Sequence, residues 1–204
     1  MKKVKFALVM IVMLLVASQA FAAIGGAGIA KTYETPFLLT SGGQGAGSKM
    51  LRLLITQTKK LSYGEDADFF LEDETPARYG YIDSGKYKAL FVVMSVTEKG
   101  LGASGITIED EIRFLQEVVK KAQAQNMPIV AVSLEADARK PGVPTNGNER
   151  VIDTICPYAD WIITIDANNT DGRFTELGKK YNIPVTTVGK QLELVKALPG
   201  IFGK

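Results

Sequence analysis

The chain has 204 residues, 24 of them basic and 22 acidic, with one cysteine and no histidine. A lone cysteine, Cys156, excludes an intrachain disulfide and a cysteine-rich zinc site, and the missing histidine excludes Ser-His-Asp and Cys-His catalysis together with the commonest metal ligand. A charge balance this even offers no basic surface to nucleic acid or to a membrane.

Residues 1–22 read as a secretory leader. Lys2, Lys3 and Lys5 form the basic segment, Phe6 to Val16 the apolar one, and Ala20-Phe21-Ala22 the small-residue cleavage site, which predicts a mature chain starting at Ala23. The apolar segment is shorter than the ~20 residues a membrane span needs, so no stable membrane insertion is expected after cleavage and the product is periplasmic or secreted. Cleavage removes three basic residues and no acidic one, which leaves the mature chain slightly negative. Residues 23–35, with Gly25, Gly26 and Gly28, read as a flexible lead-in to a single domain over 36–204.

The first predicted strand is Phe37 to Thr40. A loop with Gly42, Gly43, Gly45 and Gly47 follows, then a helix from Ser48 to Lys60 carrying Leu51, Leu54 and Ile55. Over 61–88 the pattern is weak: Leu61 to Tyr63 suits a short edge strand, and the acidic, aromatic stretch after it suits a loop with a helical turn. Ala89 to Val96 is a continuous apolar run, as in a strand covered on both faces. A second glycine loop, with Lys99, Gly100, Gly102 and Gly105, leads to Thr107 and Asp110 at capping-box spacing, and Ile108, Ile112, Leu115, Val119 and Ala122 then fall on one helical stripe.

Strands are predicted at Ile129 to Leu134, Trp161 to Asp166 and Val185 to Val188. Between them lie a helix capped by Asn148 and ending near Pro157, and a short helix presenting Phe174, Leu177 and Tyr181. A closing helix runs from Gln191 to Leu198. Strands alternating with helices at this spacing predict an α/β fold: one doubly wound parallel sheet of five or six strands in flavodoxin-like order 2-1-3-4-5(-6), within a three-layer Rossmann-like sandwich.

Several motifs fall short of their patterns. Gly42 to Lys49 approaches a P-loop, but Ser48 and Lys49 come in reversed order; a tight strand-to-helix turn that needs glycines is preferred to a nucleotide site, and no cofactor is assigned. Asp166 to Gly172 approaches a calcium loop, but its second aspartate and its glycine each come one place late; an Asx-rich helix start is preferred and no metal is expected.

The two glycine loops leave the ends of strands 1 and 3, which flank the topological switch point where such sheets open a crevice. The predicted ligand-binding set is therefore Ser41, Gly42, Gly43, Gln44 and Ser48 from the first loop. The second loop adds Thr97, Lys99, Gly100, Gly102 and Ser104, and the loop after the fourth strand adds Asp137 and Arg139. Lys99 and Arg139 are the expected cations of an anion site, with Glu98 and Asp137 beside them as competing partners.

Thr40-Ser41-Gly42-Gly43-Gln44, Lys99-Gly100-Leu101-Gly102-Ala103, Ala138-Arg139 and Asp171-Gly172 with Phe174-Thr175 stand in this order. On these marks the mature chain resembles an exported bacterial family catalogued as a domain of unknown function (DUF6305-like). The resemblance implies a Rossmann-like sandwich and a signal peptide, and no activity. Family members often carry a histidine near the position of Ser133, which this chain lacks.

Three functional readings follow. The first is a non-catalytic envelope binding protein for a small polar or anionic ligand, or for a partner protein. The second is an envelope hydrolase or transferase using Asp137 or Asp171 with Ser41 or Ser104. The third is a structural subunit of an envelope complex. No catalytic residue is assigned, because no catalytic motif is intact.

Overall fold

A computed structural model describes residues 23–24, 27–72, 78–136 and 139–203. The expected leader, residues 1–22, and Asp137 lie outside the described residues.

Six parallel strands form one sheet: β1 Phe37–Gly42, β2 Phe69–Glu72, β3 Leu90–Met94, β4 Ile129–Ser133, β5 Trp161–Ile165 and β6 Val185–Val188. Their order is β2-β1-β3-β4-β5-β6, the predicted 2-1-3-4-5-6. The register places Phe37 of β1 opposite Phe69 of β2, and Leu39 of β1 opposite Phe91 of β3.

The helices are α1 Gly47–Gln57, α2 Arg78–Ile82, α3 Glu98–Ala103, α4 Ile108–Ala124, α5 Gly147–Ile155, α6 Arg173–Tyr181 and α7 Leu194–Ile201. Alternate residues of each strand serve opposite faces. Phe37, Leu39, Phe91, Val93, Val130, Val132, Trp161 and Ile163 pack with α1 and α7 in one core layer. Leu38, Leu90, Val92, Ile129, Ala131 and Ile162 pack with α4, α5 and α6 in the other. This two-sided burial is why the central strands read as unbroken apolar runs.

Four local expectations are corrected. The edge strand is Phe69–Glu72 rather than Leu61 to Tyr63. Phe69 and Leu71 both reach the core, Phe69 stacking 5.4 Å from Phe37, whereas of the 61–63 stretch Leu61 reaches the core and Tyr63 makes an isolated bridge to Phe69 with its ring 5.3 Å away. Much of the second glycine loop is helix α3, because the Thr97 hydroxyl accepts from Gly100 N at 3.0 Å and caps it. The cap of α5 is Asn146, whose side chain accepts from Asn148 N at 3.1 Å. Asn148 itself is buried and extends the sheet edge instead: its Oδ1 accepts from Val96 N at 2.8 Å, and its Nδ2 donates to Val96 O at 3.0 Å. Tyr181 ends α6 exposed rather than facing in.

The Thr107–Asp110 capping box forms in both directions at the start of α4. The expected flexible lead-in is ordered against the fold where it is described: Ala23–Ile24 pairs antiparallel with Ala27–Gly28, Ile29 and Ala30 pack against the α1–α7 core layer, and Tyr33 is buried between Phe91 and Trp161 and donates its backbone N–H to Ile201 O at 2.8 Å.

Candidate functional site

The C-terminal ends of all six strands share one edge of the sheet. At its centre β1 and β3 are neighbours, while α1 and α4 leave them towards opposite core layers. This is the switch point, and the chain closes it with its own backbone. Pairing continues past the strands: Ser95 N donates to Gly42 O at 2.8 Å, Gly45 N to Ser95 O at 2.7 Å, and Thr97 N to Gly43 O at 3.3 Å. Gln44 bridges Val96 in antiparallel sense.

The loop N–H groups are also taken up internally. Gly43 N donates to Glu111 Oε1 at 2.8 Å and Gln44 N to Ser41 Oγ at 3.2 Å. Glu111, fully buried in the first turn of α4, is the carboxylate that meets this loop.

The glycines serve this closure. Gly43 has φ 115°, a region that disfavours side chains. A Cβ on Gly45 would lie 1.8 Å from Ser95 Oγ, and one on Gly100 would lie 1.8 Å from Gln44 O. Ser104 Oγ donates to Gln44 Oε1 at 3.1 Å. So Ser41, Gly42, Gly43, Gln44, Thr97, Gly100 and Ser104 do come together, but against one another.

Ser48 is buried in the first turn of α1, and its hydroxyl has no hydrogen-bond partner among the described residues. Lys99 is exposed on α3, and Gly102 has open space around it. A serine that sequence reasoning passed over, Ser95, donates from Oγ to Glu135 Oε2 just past the ends of β3 and β4; it is 1% exposed.

Arg139 lies further along the edge and is not a free cation. Only 3% of its side chain is exposed. Its Nε donates to Glu149 Oε1 at 2.8 Å, and its two terminal nitrogens fork onto Asp171 at 2.9 and 3.2 Å. One of them also donates to Asn168 O, and the guanidinium lies over the Phe174 ring at 5.2 Å. Burial opposes its charge, and the bonds to Asp171 and Glu149 more than restore it, which leaves its pKa raised. The same Arg139 bonds hold the Asp171 carboxyl below the usual carboxylate range. Arg173 continues the chain of charges to Asp153 and, at 3.5 Å, to Glu149 Oε2.

This network forms the wall of a cavity of about 400 Å³ lined by Gly142, Val143, Pro144, Glu149, Asp153, Asp171 and Arg173. The loop after β4, successive turns of α5 (Glu149 and Asp153) and the start of α6 supply it. It lies beside the switch point on the α5–α6 face. Three carboxylates and one guanidinium line it, with Arg139 beneath.

Two other candidates resolve into structure. Asn169 Oδ1 accepts from Phe174 N at 2.9 Å, so the calcium-like loop is the start of α6. Cys156 is wholly buried against Met94, and burial pushes its thiol pKa far up, which leaves it unreactive. Among the described residues no helix is long and apolar enough to cross a membrane, and no three acidic or cysteine side chains converge to hold a metal.

Residues 34–202 match the family described as Domain of unknown function (DUF6305). The chain belongs to that family. No curated protein matches this DUF6305 chain. Among solved structures, the psychrotrophic esterase EstA from Pseudoalteromonas sp., in a form inhibited by monoethylphosphonate, is similar at 13% identity over 81% of this chain and 92% of that one. The TM-score is 0.32, which carries no argument about site or reaction in the DUF6305 chain.

Proposed function

We propose that this DUF6305 chain is an exported, non-catalytic binding protein that holds a small polar ligand in the cavity beside α5 and α6. The observation that carries this reading is a cavity of about 400 Å³ on the ligand-bearing edge of the sheet, walled by charged side chains that a buried arginine locks in place. Its size lies in the range of small-molecule sites, roughly 300–1,000 Å³, and rigid polar groups on an apolar-edged wall suit recognition. The leader pattern of residues 1–22 supports export.

Chemistry finds less support. Asp171 is committed to Arg139 and Ser104 to Gln44. Outside the expected Asp171 and Ser104, the pair that would favour an envelope hydrolase or transferase is Ser95 donating to Glu135, a hydroxyl beside a carboxylate base. At 1% exposure Ser95 offers a substrate no approach.

The test is a thermal-shift screen of amines, carboxylates, phosphates and sugars against wild type and Val143→Trp. Val143 is 42% exposed on the cavity wall, so the indole fills the cavity without disturbing the core. A ligand that stabilises wild type and not the filled variant is the expected result. Ligands that stabilise both equally, or ester or phosphoester turnover lost in Ser95→Ala, would overturn the reading. For export, the intact mass of the secreted chain is expected to start at Ala23.

A further inference from the structure

We infer that the cavity accepts a small aliphatic amine in its protonated form, its ammonium between Asp153 and Asp171 and its alkyl chain along Val143 and Pro144. The inference rests on the reading of the cavity as the binding site and adds the chemical class of the ligand.

Charge decides the sign. Glu149, Asp153, Asp171 and Arg173 are the charged lining residues. With Arg139 beneath them, three carboxylates stand against two guanidiniums, a net charge of −1. One of the two positive groups is withdrawn, and the most exposed charge on the wall is a carboxylate. Arg139 shows 3% of its side chain to solvent and turns its donors inward, to Glu149, Asp171 and the Asn168 carbonyl. Arg173 is 29% exposed and held by Asp153 and Glu149. Asp153 has 56% of its side chain exposed, about twice the share of Arg173 or of Asp171 at 28%, while Glu149 is buried. An incoming group therefore meets the Asp153 carboxylate first, on a wall whose net charge is negative. An anion would sit among like charges with both arginines already paired; a cation completes the network.

Asp171 stays charged. Arg139 holds Asp171 below the usual carboxylate range, so it remains anionic across neutral pH. The ligand is an organic cation rather than a metal ion, because no three acidic side chains among the described residues converge on one point. Charge spread along a wall that ends in Val143 and Pro144 suits an elongated ligand with one charged and one apolar part. Such an amine comes from a free small molecule or from a lysine side chain of a peptide.

Isothermal titration of the full chain separates these cases. The probes are 1,5-diaminopentane for the free amine and N-acetyl-lysinamide for the lysine side chain. Butyrate, inorganic phosphate and 1-butanol are the anionic and neutral controls. Either amine binding in preference to every control supports the class, and the tighter of the two identifies its source.

Asp153→Asn removes one exposed carboxylate and leaves the buried Arg139 pairs intact. It is expected to weaken amine binding roughly tenfold, the loss of one charge-assisted contact. Val143→Trp is expected to abolish it. Amine binding unchanged in both variants overturns the inference. Butyrate, phosphate or butanol binding that Val143→Trp removes also overturns it, yet leaves the cavity as the binding site. If no probe binds, the class is wrong, and only the broader ligand screen decides the fate of the cavity reading.

Discussion

The switch point and the α5–α6 cavity lie on the same edge of one sheet and are built in opposite ways. At the switch point the chain meets itself. Glycines let the loop after β1 run against the end of β3, so that backbone pairing persists through Thr97 and Glu111 takes the Gly43 N–H. After β4 the chain instead turns through Pro141, Gly142 and Pro144; its own backbone bonds are short-range turns, Val143 N to Lys140 O and Asn146 N to Val143 O, and the Arg139 side chain ties it to α5 and to the start of α6. Backbone pairing fills space, whereas a charge network braces a wall and leaves room in front of it. A glycine loop in a sequence thus reports a close approach without saying whether the partner is a ligand or the chain.

The largest effect should come from the brace. Arg139→Met leaves Glu149, 5% exposed, as a buried carboxylate short of its main partner. Breaking a buried pair from one side costs about 3–5 kcal/mol, so urea unfolding should show a loss of that size. Removing both charges in Arg139→Met/Glu149→Met should recover a large part of it. A loss near zero for the single variant would mean that Arg139 is a surface cation, and the contrast between the two regions would collapse.

Next comes the closed crevice. Gly45→Ala and Gly100→Ala each drive a methyl group to within 1.8 Å of existing atoms, and at Gly45 the backbone oxygen of Ser95 is only 2.6 Å away. Overpacking of this kind costs about 1–3 kcal/mol. If either variant unfolds at the wild-type urea midpoint, the two loops are not packed and the crevice is open to ligands.

A smaller effect appears with acid. Asp171 titrates lower in the folded chain than the ordinary value of about 3.9 expected when unfolded. It therefore contributes stability that is fully present above that value and is lost as the pH falls through its folded pKa. Wild type should exceed Asp171→Asn in stability at pH 7, and the gap should close below about pH 4. A gap that stays constant with pH would show that the Arg139–Asp171 fork contributes no charge-dependent stability.

The sequence carried the architecture well and the site poorly, for identifiable reasons. The central strands announce themselves because both faces are apolar, and α4 because Thr107, Asp110 and its stripe are local signals. β2 is obscured because it is an edge strand among acidic residues. Phe69 and Leu71 reach one core layer, while Phe70 only packs from the side of the other. Glu111 looks like any first-turn acid, and only the tertiary fold turns it onto Gly43. Arg139 has no readable signature because its partners lie 10 and 32 residues away, and the choice of partner is made by packing. Of the expected site, Gly43 and Gly100 were legible as close approaches, their partners were not, and Gly102 makes no such approach.

The smallest expected change has the opposite sign. Gly102 looks in sequence like Gly100, two residues earlier in the same glycine-rich stretch. In the fold the two differ completely: a Cβ on Gly100 meets Gln44 O, whereas a Cβ on Gly102 meets nothing within 4 Å. Both lie in α3, where glycine weakens a helix by about 0.5–1 kcal/mol relative to alanine. Gly102→Ala should therefore stabilise the chain by up to about that amount, while Gly100→Ala destabilises it. The comparison needs only two urea curves. If both substitutions stabilise, Gly100 is a flexible turn residue with no packing role. If both destabilise, Gly102 is occupied by something else, and a partner contacting α3 becomes the first thing to look for.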